Sequence, residues 1–349
     1  MGKIINLLGP KSIGFEEYEE EELRPDEVRI KTLFSGISAG TQLTLYRGKN
    51  PYLSGKWDPD LRLFDDTDEV SAKFPVKGMW AYEEVGIVAE IGTDVSKVSV
   101  GDVIYGAWGH KSTHVVNEEF AVDHKLPKEL ESICGIFAQM GAIALNAILD
   151  ANIHVGETVA IFGQGVPGQM VTQLAKLNGA RVIAVDLDNS RLEYSKKFGA
   201  DIVLNPKKCD AAKEIKKLTD GRGADVSIEI SGFASALNEA IRATCYNGTV
   251  VCSGFITGEA KGLFLGKEFH HNRIKIVCSQ ISGVSLDVSN RWDRLRMEKT
   301  IMQLQAEGKV NFKGLITHIF PFEKAPEAYR MLDEGTKDCL QVVLKFDEE

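Results

Sequence analysis

The stretch Val159-Ala160-Ile161-Phe162-Gly163-Gln164-Gly165-Val166-Pro167-Gly168 decides how this chain is read. An apolar run leads into glycines spaced G-x-G-x-x-G. A helix-like segment follows from Gln169 to Leu177, and a second apolar run, Arg181 to Val185, ends in Asp186. Each part suits a dinucleotide. Gly163 permits a tight turn out of the strand, Gly165 lets the main chain approach a pyrophosphate, and Gly168 lets the helix pack close to the strand. Val166 and Pro167 fall where the helix begins, and unpaired N–H groups there attract an anion. Asp186 stands about twenty residues further on, where a carboxylate accepts hydrogen bonds from an adenosine ribose diol. Ser231, just after the strand pattern Ala224 to Ile230, joins the candidate cofactor contacts. A glycine-rich turn by itself is a weak signal; strand, helix and answering acid together make it specific.

The 349 residues suggest two domains, and 44% hydrophobic content is ample for a core. A net charge of −9 offers no basic field for nucleic acid. The acidic run Glu16 to Glu22 reads as a solvated strand-to-loop segment. No apolar run approaches bilayer length and no signal-peptide pattern opens the chain, so neither a membrane nor export is expected. Six scattered cysteines without a C-x-x-C pair fit free thiols in a reducing cytoplasm.

Outside the nucleotide motif the pattern changes along the chain. Residues 1–135 are mainly short strand patterns: Val28 to Leu33, Val85 to Gly92, Val98 to Val100, Val103 to Tyr105, Thr113 to Val116 and Phe120 to Val122. Many short strands punctuated by Gly and Asp suggest a small barrel. The polar, aromatic stretch Tyr46 to Phe74 reads as a long loop. Residues 136–285 alternate strand and helix, which builds a doubly wound parallel sheet. Residues 286–349 hold a long helix pattern, Arg294 to Glu307, then strand, helix and strand.

This order resembles the medium-chain dehydrogenase/reductase family over nearly the whole chain. The resemblance rests on Ser35-Gly36-Ile37-Ser38, Glu83-x-x-Gly86-Ile87-Val88, Gly101-Asp102-Val103, the nucleotide motif, Arg191 to Asp201, and Phe320 to Ala325. It implies an α/β protein: a GroES-like β-barrel catalytic domain formed by 1–135 and a return segment 286–349, plus a Rossmann domain, 136–285. It also implies NAD(H) or NADP(H), a substrate in the cleft between domains, and a homodimer or homotetramer, with residues around Ile274 to Ser282 as a candidate joining edge.

The departures are informative. Zinc-dependent members use a cysteine, a histidine and a third ligand where this chain has Ser38, Tyr82 and Met140. Hydroxyls and a thioether are poor zinc ligands, and the four-cysteine structural loop is missing as well. The histidines show no helical ligand spacing; His270 and His271 are adjacent. A zinc-independent enzyme is therefore expected. Without a Lewis acid, a hydrogen-bond donor or general acid must stabilise the substrate oxygen. Tyr82 and Ser38 are the candidates, each with the alternative of mere packing. Thr41 and Gln42 follow Ser38 closely enough to line the same pocket. Glu83 is a further candidate, with the alternative of a structural pairing with Lys345. Arg47, Trp57, Arg62, Trp80, Trp108 and His110 suit a sugar or polyol through stacking and hydrogen bonds. Asp186 favours NAD, while Arg191 is the feature compatible with NADP. The expected activity is hydride transfer between nicotinamide and an alcohol or carbonyl. C=C reduction of a quinone or enoyl compound, and nucleotide binding without turnover, are the alternatives.

Overall fold

The computed structural model describes residues 1–66, 73–78, 80–335 and 338–347. They fall into two units, Met1–Gln139 with Ile316–Glu349, and Met140–Leu315. The first unit opens with β1 (Gly2–Gly9), β2 (Ser12–Tyr18), β3 (Glu27–Ile37), α1 (Ala39–Tyr46) and α2 (Pro51–Ser54). There follow β4 (Gly55–Asp58), β5 (Leu63–Asp66), β6 (Glu84–Ile91), β7 (Val103–Gly106), β8 (Thr113–Asn117) and α3 (Glu118–Asp123).

Three local expectations change here. The polar stretch after Tyr46 is not a plain loop: it carries α2 and an antiparallel β4–β5 hairpin, while residues 67–72 lie outside the described residues. Val98 to Val100 does not form a strand. Its neighbouring N–H groups turn to carboxylates instead, Ser96 N and Lys97 N to Glu118 Oε1 and Ser99 N to Asp102 Oδ2, although Val98 is buried. Phe120 to Val122 is helical. Asn117 caps α3 by accepting from Phe120 N at 2.8 Å, and Glu118 and Glu119 occupy the first turn, where the helix dipole favours acids.

The second unit runs α4 (Phe137–Ala151), β9 (Thr158–Phe162), α5 (Val166–Leu177), β10 (Arg181–Val185), α6 (Asn189–Lys197), β11 (Ile202–Leu204), α7 (Ala211–Leu218), β12 (Ala224–Glu229), α8 (Ala234–Ala243), β13 (Thr244–Cys252), β14 (Lys275–Cys278) and α9 (Arg294–Ala306). All six strands are parallel, in the order β11-β10-β9-β12-β13-β14. Buried on both faces, β9 carries the continuous apolar run that such a strand requires. The chain order reverses between β9 and β12, the place where doubly wound sheets take ligands. The apolar helical run Ser132–Ala151 is in fact long enough to cross a bilayer, but 83% of its most apolar 18 residues are buried inside the protein, as suits a core helix.

The chain returns to the first unit at Ile316 rather than at 286. Residues before that point belong to the nucleotide unit, where Ile301 of α9 packs against Gly141 of α4. The return segment supplies β15 (Ile316–Pro321), α10 (Ala325–Glu334) and β16 (Gln341–Lys345). They complete a sheet ordered β15-β16-β3-β6-β7, with β8 also on β3. Ile5, Leu7, Ile37, Leu43, Trp80, Phe322, Tyr329 and Leu344 pack together as part of its core.

Candidate functional site

At the end of β9 the backbone has φ 101° at Gly163, and a Cβ there would lie 2.7 Å from Ser231 Cβ. Both facts demand glycine. A Cβ on Gly168 would overlap Gly163 O, so helix and strand touch through bare backbone. Gly165 is different. It is the N-cap of α5, and a Cβ there would meet nothing nearer than Pro167 Cδ at 3.9 Å. The protein's own packing does not require glycine at this position; a ligand pressed against the main chain would. Val166 and Pro167 form the first helical turn, which carries no acidic side chain to compete with an anion. The arrangement fits a pyrophosphate.

Asp186 follows directly after β10 and reaches back to this turn. Its Oδ2 accepts from Gln164 N at 2.7 Å and its Oδ1 from Asp188 N at 2.8 Å. Arg191 Nη1 lies 4.0 Å from Oδ2, with its side chain partly exposed. Ser231 sits beside Gly163, yet its hydroxyl is already occupied: it donates to Glu229 Oε1 at 2.5 Å. The sequence reading missed Glu229. This buried carboxylate also accepts from Ser231 N and Gly232 N and organises the turn after β12.

In the first unit, three of the five catalytic candidates meet. Ser38 Oγ lies 2.5 Å from Tyr82 Oη, and Thr41 Oγ1 lies 3.1 Å from the same oxygen. Ser38 is the N-cap of α1 but makes no capping bond with its side chain. A capping serine usually contributes about 1 kcal/mol by accepting from its helix; here the hydroxyl has turned to the phenol. Burial, with the Glu83 charge adding, pushes the Tyr82 hydroxyl up to about 12. At neutral pH it is a proton donor, not a base. Met140, on α4, is buried. Among the described residues, no group of three or more His, Cys, Asp or Glu side chains is arranged to hold a metal.

Gln42 and Glu83 leave this cluster. Gln42 is fully buried; its Oε1 lies 3.1 Å from His110 Nε2 and accepts from the Tyr329 hydroxyl. Glu83 does not pair with Lys345, which is exposed. Instead it accepts from Gln341 Nε2 at 3.0 Å, and its other oxygen is buried without a partner. Adjacent Glu84 turns the other way, accepting from Ser35 Oγ at 2.8 Å and Trp108 N at 2.8 Å. Ser35 Oγ is also 2.6 Å from His110 Nδ1. This network, linking residues far apart in sequence, had no legible signal. It also removes three proposed substrate contacts: Trp80, Trp108 and His110 are core side chains. Arg47 is held by Asp333 at 2.6 Å. Trp57 stays partly exposed on the β4–β5 hairpin, its ring 5.2 Å from that of Phe64, and Arg62 is exposed in the same hairpin.

The buried acids give a pH signature. Burial raises Glu83 from 4.5 to about 8 and Glu84 from 4.5 to about 7. Each keeps its proton in the fold after the unfolded chain has lost it, so stability falls as pH rises through that window. His110, lowered by burial from 6.5 to about 3, acts in the opposite sense but only below its unfolded value. From about pH 6.5, above which His110 no longer contributes, to about pH 8, where Glu83 ionises in the fold, the acids dominate these three. The thermal midpoint is expected to fall across that range, and Glu83→Gln to remove much of the fall. Parallel slopes for the two proteins would contradict this account of Glu83.

Residues 167–297 match the family model described as zinc-binding dehydrogenase; that span contains none of Ser38, Tyr82 and Met140. The chain is 32% identical over 349 residues to D-guloside 3-dehydrogenase of Escherichia coli K12, covering 97% of this chain and 98% of that one. Two solved structures share the fold, each aligned over 99% of both chains. A Sinorhizobium meliloti 1021 dehydrogenase bound to NADP has a TM-score of 0.78 at 21% identity. An alcohol dehydrogenase from Escherichia coli CFT073 complexed with NADH has a TM-score of 0.77 at 21% identity.

Proposed function

The chain belongs to the medium-chain dehydrogenase/reductase family and is an NAD(P)-dependent oxidoreductase acting on CH–OH groups, and from that premise we propose that it works without a catalytic zinc, using Tyr82 as proton donor. The observation that carries this reading is the hydroxyl cluster of Ser38, Thr41 and Tyr82. The donor set does not fit Zn²⁺. A serine hydroxyl and a phenol held neutral are weak ligands for an ion that selects thiolate, imidazole and carboxylate. A reduced nicotinamide, when bound, supplies the hydride. Tyr82 supplies the proton to the oxygen of the carbonyl being reduced, and Ser38 and Thr41 hold its hydroxyl in place.

We assign the substrate to the secondary hydroxyls of a glycoside or polyol, or the matching ketones. Similarity to D-guloside 3-dehydrogenase over almost the full chain supports this, as do the exposed aromatic rings of the β4–β5 hairpin. The test is turnover of glycosides, polyols, aldehydes and quinones with NAD⁺ or NADH, alongside metal analysis. Activity on hydroxyl or carbonyl sugars, with well under one zinc per chain and no loss on chelation, is the expected result. Turnover of quinones alone, or activity abolished by a chelator and restored by zinc, would overturn the reading.

For the cofactor, NAD is proposed over NADP because the Asp186 carboxylate repels a 2′-phosphate. Asp186→Ser is expected to weaken NADH binding by on the order of ten- to a hundredfold, the range for losing a charged hydrogen bond, and to relax discrimination against NADPH. Titrations with both cofactors check this; an unchanged preference removes Asp186 from the argument.

A further inference from the structure

Gln164, Gln169, Thr172 and Ser195 are fully buried, and they form one polar cluster beside the glycine turn. Gln164 belongs to the turn itself, Gln169 and Thr172 to α5, and Ser195 to α6. Gln164 Oε1 accepts from Thr172 Oγ1 at 3.0 Å and lies 2.9 Å from Ser195 Oγ. Gln169 Nε2 donates to Arg191 O at 2.8 Å and to Ser195 Oγ at 3.0 Å, and lies 3.3 Å from Gln164 O. Ser195 Oγ is also 3.0 Å from Arg191 O. Gln169 Oε1 is buried and has no hydrogen-bond partner among the described residues. An apolar side chain of similar size would fill this space and leave no acceptor unsatisfied, so packing alone does not call for these residue types.

The cluster holds one point of main chain from two side chains, the carbonyl of Arg191. Arg191 lies in the first turn of α6, and its Nη1 is 4.0 Å from Asp186 Oδ2. An ion pair that long and partly exposed contributes little by itself, so the guanidinium is placed by its backbone. Gln164 completes the arrangement from the other side, because its N donates to Asp186 Oδ2 at 2.7 Å. The same residue fixes the acid by its main chain and α6 by its side chain.

We propose that Gln164, Gln169 and Ser195 are positioning residues for cofactor choice: they keep the Arg191 guanidinium on the Asp186 carboxylate and so set a preference for NADH over NADPH. The proposal rests on the cofactor reading above and adds what holds that site in place. An arginine tied to the acid is not available to a 2′-phosphate. Once released it can turn to one, since a guanidinium pairs bidentately with phosphate oxygens. The three side chains, wholly inside the protein, act only through Arg191 and Asp186.

Two independent substitutions in the whole protein test this. Gln169→Met keeps the length of the side chain and loses its N–H donors; Ser195→Ala removes only a hydroxyl. Fluorescence titration gives Kd for NADH and for NADPH, and thermal unfolding reports the fold. Each variant is expected to lower the ratio of the NADPH Kd to the NADH Kd by about two- to tenfold, the scale of one neutral hydrogen bond. Most of the change should be tighter NADPH binding, with the thermal midpoint nearly unchanged. In an Arg191→Ala background the same substitutions should leave the ratio alone, since the group they act through is gone. Equal weakening of both cofactors, an unchanged ratio, or a shift that persists without Arg191 would overturn the proposal. Asp186→Ser separates the two claims. If it alters the preference while Gln169→Met and Ser195→Ala do not, the positioning role alone is wrong; if it alters nothing, the cofactor reading has failed as well.

Discussion

Replacing Tyr82 by Phe is expected to lower kcat by roughly 10²- to 10⁴-fold, the usual loss when a positioned acid is removed, while NADH affinity stays nearly the same. The aromatic ring remains, so the packing is kept. What disappears is one hydroxyl, which lies within reach of Ser38 Oγ and Thr41 Oγ1. The reasoning turns on protonation. With its hydroxyl pushed up to about 12, Tyr82 begins the reducing direction with its proton in place. In the oxidising direction it must reach an unfavourable anion, so alcohol oxidation should gain with rising pH more than carbonyl reduction loses. Rates in both directions across pH, for Tyr82 and Tyr82→Phe, measure this. A fully active Tyr82→Phe enzyme would leave the tyrosine as a space-filling residue and return attention to a metal. Ser38→Ala should show a smaller loss, since Thr41 remains.

Gly168→Ala is expected to cost about 3 kcal/mol or more, the upper range for forced overpacking, and to abolish measurable NADH binding. The added methyl overlaps Gly163 O, a main-chain atom with no rotamer to change. Either α5 moves off the sheet or the turn at Gly163 opens, and both displace the helix N-terminus that faces the anion. Gly165→Ala is the informative contrast. Among the described residues, its chain neighbours aside, the nearest atom to that methyl is Pro167 Cδ at 3.9 Å, so stability should hold while NADH affinity falls. Thermal unfolding and NADH fluorescence titration separate the two. If Gly165→Ala bound NADH normally, the space above that residue would not be where a pyrophosphate sits.

Much of the nucleotide unit was legible because its signals are local. Glycine spacing, a strand buried on both faces and the acid closing the next strand lie within one short segment, and backbone sterics make each residue type interpretable by itself. Where local signals misled, a side chain had intervened: Asn117 turned an apolar triplet into α3, and Glu118 drew the N–H groups near Val98 out of a strand.

The sequence by itself determined the fold family and the tight glycine turn after β9, since these depend on residue identity and short spacing. Tertiary structure alone decided which polar side chains meet. Thr41 and Gln42 are adjacent, but successive residues of a helix point about 100° apart, so one reaches Tyr82 and the other His110 and Tyr329. Glu83 and Glu84 are adjacent too, and extended backbone alternates its faces, sending one to Gln341 and the other to Ser35 and Trp108. The partners waiting on each side come from distant segments, brought there by sheet register and core packing.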